Sequence, residues 1–324
     1  MSVQPLISIV VPARDAGRFL GATLDSIIAQ SETRWECIVV DDGSQDDTFA
    51  LAQRYAASDR RIQAFRHDAA GASAARNRGF RRISEQSQFV SFMDSDDVWL
   101  PHALEALLGR VQQDGTALGS HGLADFIDSC GRPLTPGVYV ETGRARLGLD
   151  GHRLVRWPLE RATSFDVLIN GNVLFPPGLV LTRRYGYERA GPFDETLSGA
   201  EDWDMLIRLS RFGDLAFVND VILHYRRHDA NLGARSGIAT QAWRVRCIAF
   251  YDPENSTAQR RVARLGWRAY QVHLARDRMG AAGRALREGD VRAAISLAAR
   301  LPVHAWRYLR GYPLPRVVRK PLTW

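Results

Sequence analysis

The chain has 324 residues, 45% of them hydrophobic and 24% charged, with 43 Lys and Arg against 36 Asp and Glu. This is the make-up of a folded soluble protein with one large domain, or one domain and a small appendage. No uninterrupted apolar run is long enough to span a bilayer, no signal peptide opens the chain, and the three cysteines, Cys37, Cys130 and Cys247, lack zinc spacing, argue against a disulfide framework and fit a reducing compartment.

In chain order, Leu6-Ile7-Ser8-Ile9-Val10-Val11 reads as a first strand ending at Pro12-Ala13-Arg14-Asp15. Gly17 opens a helix with an apolar stripe of Phe19, Leu20, Leu24, Ile27 and Ile28. A second strand, Trp35 to Val40, ends at Asp41-Asp42-Gly43-Ser44, and a helix follows from Asp46 to about Ala57. Ile62 to Phe65 is a third strand, and the small residues of Gly71 to Gly79 let the next helix pack close to the sheet. Arg76 on that helix falls near the strand ends, where a guanidinium can meet phosphate or a base carbonyl; a solvated surface arginine is the other reading. The apolar run Phe89 to Met93 leads into Asp94-Ser95-Asp96-Asp97, and Pro101 suits the first turn of a helix carrying Leu104, Leu107, Leu108 and Val111.

β-Branched runs of this kind read as strands buried on both faces. Alternating with amphipathic helices, they indicate an α/β fold with a doubly wound, mostly parallel sheet, which binds ligands at the carboxyl ends of its strands. All three polar clusters then share one edge. Three carboxylates in four residues at the end of a buried strand call for a cation between them, and oxygen ligands suit Mg²⁺ or Mn²⁺. An acidic turn capping the following helix is the alternative.

Further on, Leu179-Val180-Leu181 reads as a strand and Glu201 to Phe212 as a helix with Asp202 in its first turn. The helix dipole there favours the ionised carboxylate and lowers its pKa, so a base at this place needs desolvation or neighbouring carboxylates to compensate. Trp157 and Trp203 are either ligand-stacking residues or core. Beyond Asn231 come helices over Ile238 to Phe250, Ala258 to Met279 and, after the turn Glu288-Gly289-Asp290, Val291 to Leu301. This part is arginine-heavy from Arg260 through Arg316 to Arg319, and also carries Trp306, Tyr308, Tyr312 and Trp324. It reads either as solvated helix faces or as a peripheral contact with an anionic membrane surface or a lipid-diphosphate-linked acceptor.

Taken in order, Ile7 to Pro12, Val39 to Ser44 with Asp46 and Thr48, Ala75-Arg76-Asn77 within Gly71 to Gly79, Phe92 to Asp97, Gly191-Pro192-Phe193-Asp194-Glu195, Glu201-Asp202-Trp203-Asp204 and Tyr225-Arg226-Arg227-His228 resemble a family 2 glycosyltransferase of the GT-A fold. The resemblance implies a GT-A domain over residues 1–230, with a nucleotide-sugar-binding half (1–115) and an acceptor-side half (116–230), and leaves 231–324 as a basic helical C-terminal extension. It implies metal-dependent, inverting transfer of a hexosyl or N-acetylhexosaminyl group from a nucleotide sugar, most often a uridine diphosphate sugar, to a glycan or lipid-linked acceptor. It sets Pro12, with Ala13 and Arg14, under the uridine, Asp41 on the uracil N–H, and Arg76 beside uracil or phosphates. Asp94, with Ser95 beside it, meets the ribose or the metal's water shell. Asp96 ligates Mn²⁺ or Mg²⁺, His228 lies near the diphosphate and metal, and Asp202 is the general base. Asp42 and Asp97 are left as loop supports, and Asn170 to Asn172 and Phe175 to Gly178 as acceptor-side candidates. The family's commonest setting is bacterial surface-polysaccharide assembly, which implies a cytoplasmic protein, peripheral at the inner face of the cell membrane. Gln241-Ala242-Trp243-Arg244 is not the Gln-x-x-Arg-Trp motif of the processive members, so transfer of one or a few sugars is expected. The competing classes are an inactive sugar-nucleotide-binding scaffold, a nucleotidyltransferase, whose basic glycine-rich loop Pro12 to Gly17 matches poorly, and a nucleic-acid-binding protein, for which no module is present; no nucleic-acid partner is expected.

Overall fold

The computed structural model describes residues 6–134, 140, 143–229, 237–314, 317, 319 and 322–324. The expected domain boundary at 230/231 and Arg316 lie outside the described residues. Ten strands are described: β1 Leu6–Ala13, β2 Trp35–Asp42, β3 Ile62–His67, β4 Ser87–Phe92, β5 Val98–Trp99, β6 Gly119–Ile127, β7 Leu147–Asp150, β8 Arg153–Arg156, β9 Val180–Arg183 and β10 Leu215–Arg226. Eight form one sheet in the order β3-β2-β1-β4-β9-β6-β10-β5, and β7 and β8 pair separately. Ile7, Ile9, Val10 and Val11 of β1, Cys37 to Val39 of β2 and Val90 of β4 are wholly buried, because helices cover both faces of the parallel half.

The sheet is mixed. β3, β2, β1 and β4 run parallel, as do β6 and β10, but β9 is antiparallel to both β4 and β6, and β5 to β10. The residues of β9 encode burial, not direction, so its reversal was not expected. The register aligns Ala13 with Asp41 and Val10 with Phe92, which brings the ends of β1, β2 and β4 to one edge. β10 ends there too, since the Arg226 amide donates to Asp97 Oδ1 at 2.9 Å.

The first helix, Leu20–Ile28, begins three residues after Gly17, and the second covers Thr48–Ser58. Asp46 accepts the Gly17 and Thr48 amides at 2.9 and 3.0 Å, tying the two helix starts together. Ala72–Phe80 packs so closely that a Cβ on Gly79 would lie 2.3 Å from Val10 Cγ1. In the C-terminal part, Ile238–Tyr251 is followed by Thr257–Arg287, which opens on a capping box of Ser256 and Gln259 and runs past the expected end at Met279. The helix expected over Val291 to Leu301 ends at Ala298, and a further helix that was not expected covers Leu301–Arg310. Pro302 explains the break, since proline suits a first turn and disrupts a helix interior.

Two side chains of this part are engaged within the protein. Trp324, 36% exposed, stacks on Phe80 with ring centroids 4.2 Å apart and donates to the Tyr187 carbonyl at 3.0 Å. Arg319 is not a solvated cation but is 7% exposed, set among Asp194, Asp204 and Asp252.

Candidate active site

β2 ends in a wholly buried Asp41. Its Oδ2 accepts the Ser44 amide at 3.3 Å and faces Arg66 Nε at 3.3 Å, while Oδ1 has no partner among the described residues. A buried acceptor left without a donor costs about 1–3 kcal/mol, and this oxygen has room in its bonding for one N–H donor. Pro12 and Ala13 at the end of β1 are buried beside it, and Arg14 is exposed, with Nη1 3.7 Å from Asp42 Oδ2. Asp42 accepts the Ala70 and Gly71 amides at 2.8 and 2.9 Å, which holds the loop that starts the Ala72–Phe80 helix.

After β4, carboxylate oxygens of Asp94, Asp96 and Asp97 lie within 4.8 Å of one another. Asp97 supports the loop: its Oδ1 takes the Arg226 amide and its carbonyl takes the Thr23 hydroxyl at 2.8 Å, but its buried Oδ2 has no partner among the described residues. Arg226 Nε donates to the Asp96 carbonyl at 2.8 Å, and His228 Nε2 is 2.9 Å from Asp96 Oδ2, with its ring against Phe19. Burial, then the charges of Asp96 and Asp94, push Asp97 well above the usual carboxylate range. Burial lifts Asp94 to about 6, with Asp96 adding and Arg76 opposing. An all-carboxylate cluster that resists its own ionisation fits a hard divalent cation, so these residues match the expected metal. Ser95 is half-buried between them.

The helix Glu201–Leu209 starts from Ala200, a non-glycine residue in the left-handed region at φ 58°. That turn sets Glu201 and Asp202 at the helix mouth. Asp202 is half-buried and its Oδ1 accepts the Trp203 amide at 2.6 Å. Its carboxyl is not lowered, as the helix dipole alone would have it. Burial, then Glu201 and Asp94, raise it to about 7, against the Trp203 amide and Arg76.

Arg76 joins these parts. It is 3% exposed, and donates from Nη1 to Glu201 Oε1 at 2.7 Å and from Nη2 to Asp94 Oδ1 at 2.8 Å. Burial alone would weaken its charge, but the two carboxylates more than offset that. Arg76 thus lies at the expected edge, with both terminal nitrogens committed to protein. Its neighbour Asn77 clamps the Phe193 backbone, taking its amide at 2.7 Å and donating to its carbonyl at 3.0 Å, and reaches Glu195 at 2.9 Å. Glu201 was not singled out from sequence, where an acidic residue at a helix start is indistinguishable from an ordinary capping charge.

The tryptophans are structural. Trp203 is buried and donates to the Leu168 carbonyl, and Trp157 packs over Gly148 and donates to the Ala162 carbonyl. Asn170 is buried, and its carbonyl accepts from Arg246 at 2.7 Å. Gly178 takes the Trp99 indole N–H at 2.8 Å and abuts Met93, beside the acidic loop.

Residues 8–127 match the model of glycosyl transferase family 2. The chain is 35% identical over 138 residues to a teichuronic acid biosynthesis glycosyltransferase of Bacillus subtilis, covering 42% of this chain and 54% of that one. It therefore spans about half the length of that relative. Its fold is shared with residues 1–349 of S. aureus TarS, solved with UDP-GlcNAc, at a TM-score of 0.61, 12% identity and coverage of 96% of this chain and 93% of that one. It is also shared with a mannosyltransferase of Pyrobaculum calidifontis solved with GDP-Man and Mn²⁺, at a TM-score of 0.58, 17% identity and coverage of 95% and 88%.

Proposed function

We propose that the chain, whose residues 8–127 match glycosyl transferase family 2 and which has the GT-A fold, moves a sugar from a nucleotide sugar, of uridine diphosphate type, to a hydroxyl of a glycan or lipid-linked acceptor, with inversion at the anomeric carbon. The observation that carries this reading is the Arg76 bridge, which fixes the carboxylate loop after β4 against the helix mouth holding Asp202.

In this reading Asp41 Oδ1 accepts the uracil N–H, over a wall made by Pro12 and Ala13, with Arg14 at the open side. Asp94 and Ser95 face the ribose. Asp96, with His228 beside it, would hold Mn²⁺ or Mg²⁺, whose charge would stabilise the leaving diphosphate. The transfer is a single displacement. The acceptor oxygen bonds to the anomeric carbon as the bond to the diphosphate oxygen breaks, and that electron pair leaves with the diphosphate. Asp202 takes the acceptor's proton, and a carboxylate titrating near neutrality suits that work. Arg76 and Glu201 are positioning residues.

The test is nucleotide release from a panel of nucleotide sugars with Mn²⁺, Mg²⁺ or EDTA, in wild type, Asp96→Ala and Asp202→Asn. One uridine diphosphate sugar should be hydrolysed slowly in a metal-dependent way. Asp202→Asn should lose about 10²–10⁴-fold in transfer while still binding uridine diphosphate in calorimetry. No uridine diphosphate binding by wild type with metal would overturn the donor-site reading. The active donor of the panel distinguishes hexosyl from N-acetylhexosaminyl transfer.

A further inference from the structure

We propose that the outward faces of Val291–Ala298 and Leu301–Arg310 form a docking surface for an anionic lipid bilayer. These helices bury little of themselves. The first buries only Ala294 and the second only His304, whose Nδ1 lies 3.0 Å from Gln271 Oε1 on the Thr257–Arg287 helix. Their large apolar side chains face solvent: Ile295 is 64% exposed, Trp306 56% and Leu309 77%, together with Val291 and Val303. At helical spacing Val303, Trp306 and Leu309 share one face, opposite His304. An amphipathic helix that turns its large side chains outward and its histidine inward is arranged for an apolar environment outside the protein.

Charge identifies that environment. Residues 278–310, up to the end of the second helix, hold seven of the chain's 43 Lys and Arg but two of its 36 acids. Arg284, Arg287, Arg292 and Arg300 are exposed around the apolar side chains, and Arg310 lies 4.2 Å over the Trp306 ring. A second copy of the chain would bring the same positive charge against itself. An anionic headgroup layer meets the arginines while the acyl boundary takes Trp306, Leu309 and Ile295. Among the described residues no helix is long and apolar enough to cross a membrane, so the contact lies on the surface.

The platform is fixed from within. Trp267 donates to the Arg307 carbonyl at 3.1 Å and Trp243 to the Leu314 carbonyl at 2.9 Å. The Thr257–Arg287 helix that carries it is buried at Ala263, Gly266 and Trp267, with Gly266 against Asn170. None of these residues belongs to the donor site, so the surface stands whether or not the transfer reading does.

The full chain is tested by flotation with phosphatidylcholine vesicles, with and without about 30 mol % phosphatidylglycerol, in about 0.1 M salt. Wild type should float with the anionic vesicles, about tenfold less with neutral ones, and less again in about 1 M salt. The double variant Trp306→Glu, Leu309→Glu should lose about tenfold in vesicle binding, with melting temperature and nucleotide-sugar hydrolysis unchanged. Four results would overturn the proposal: no flotation of wild type, a double variant that floats as wild type does, a wild-type dimer in light scattering that the variant abolishes, or retention on DNA that outlasts anionic-vesicle binding as salt rises. Loss of hydrolysis in wild type with flotation intact would sink the transfer reading alone.

Discussion

In the proposed transfer, Asp202 is a residue placed by its helix to be a strong acid that serves instead as a base. Burial and Glu201 outweigh the helix dipole and lift its carboxyl to about 7. Only the ionised form accepts a proton, so below that value the base is lost. The logarithm of kcat/KM should rise with unit slope up to pH about 7 and then level. Glu201→Gln, by removing a repelling charge, should move the inflexion to lower pH; a profile flat from pH 5 to 8 would exclude Asp202 as the base. Arg76 faces two carboxylates with two nitrogens of one planar group, which an ammonium cannot do. Arg76→Lys should therefore cost about 3 kcal/mol in urea unfolding, near the lower end for breaking a buried pair, and reduce transfer as well. A loss below about 0.5 kcal/mol would show the bridge to be idle. At this scale the acidic residues were legible because they follow apolar runs. The Glu201–Arg76 pair was not, because its partners stand 125 residues apart and each has an ordinary surface reading.

Apart from β5, Val98–Trp99, the strands and helices of the first 115 residues follow from the alternation of apolar runs and stripes, and the shared edge of β1, β2 and β4 follows from strand direction. What was illegible depended on neighbours: the antiparallel entry of β9, fixed by pairing with β4 and β6, and the extension of Thr257–Arg287 beyond Met279, where Ala285 is buried. Gly79 belongs to the legible part, since small residues in Gly71 to Gly79 point to close packing. Alanine is the better helix former by about 1 kcal/mol, yet Gly79→Ala should destabilise by about 1–3 kcal/mol, because its Cβ meets Val10 and Val40. Thermal or urea unfolding decides the sign; a stabilised variant would mean that the helix yields without strain.

Across the whole molecule, Trp324 and Arg319 close back on helices that carry the candidate site. Trp324 caps Phe80 at the end of the helix that carries Arg76, and Arg319 approaches Asp204 on the helix that carries Asp202. Trp324→Ala should cost about 1–2 kcal/mol, as expected for a partly exposed aromatic. It should also lower transfer more than Tyr312→Ala, a change at an exposed ring away from that contact. Equal activity of the two variants would show that the tail only covers the surface. None of this was visible in sequence, where a terminal tryptophan among arginines has the composition of a membrane anchor.

The partnerless oxygen of Asp41 has a kinetic consequence. In the proposed reaction the N–H that satisfies it belongs to the nucleobase, the portion of the donor that takes no part in bond exchange. That contact is the same in substrate, transition state and spent nucleotide, so it favours all three equally. Occupancy gained there is retained after the sugar has gone. In the proposed reaction uridine diphosphate is therefore a competitive product inhibitor, its departure can govern turnover, and a phosphatase that removes it should raise the steady-state rate without touching the chemistry.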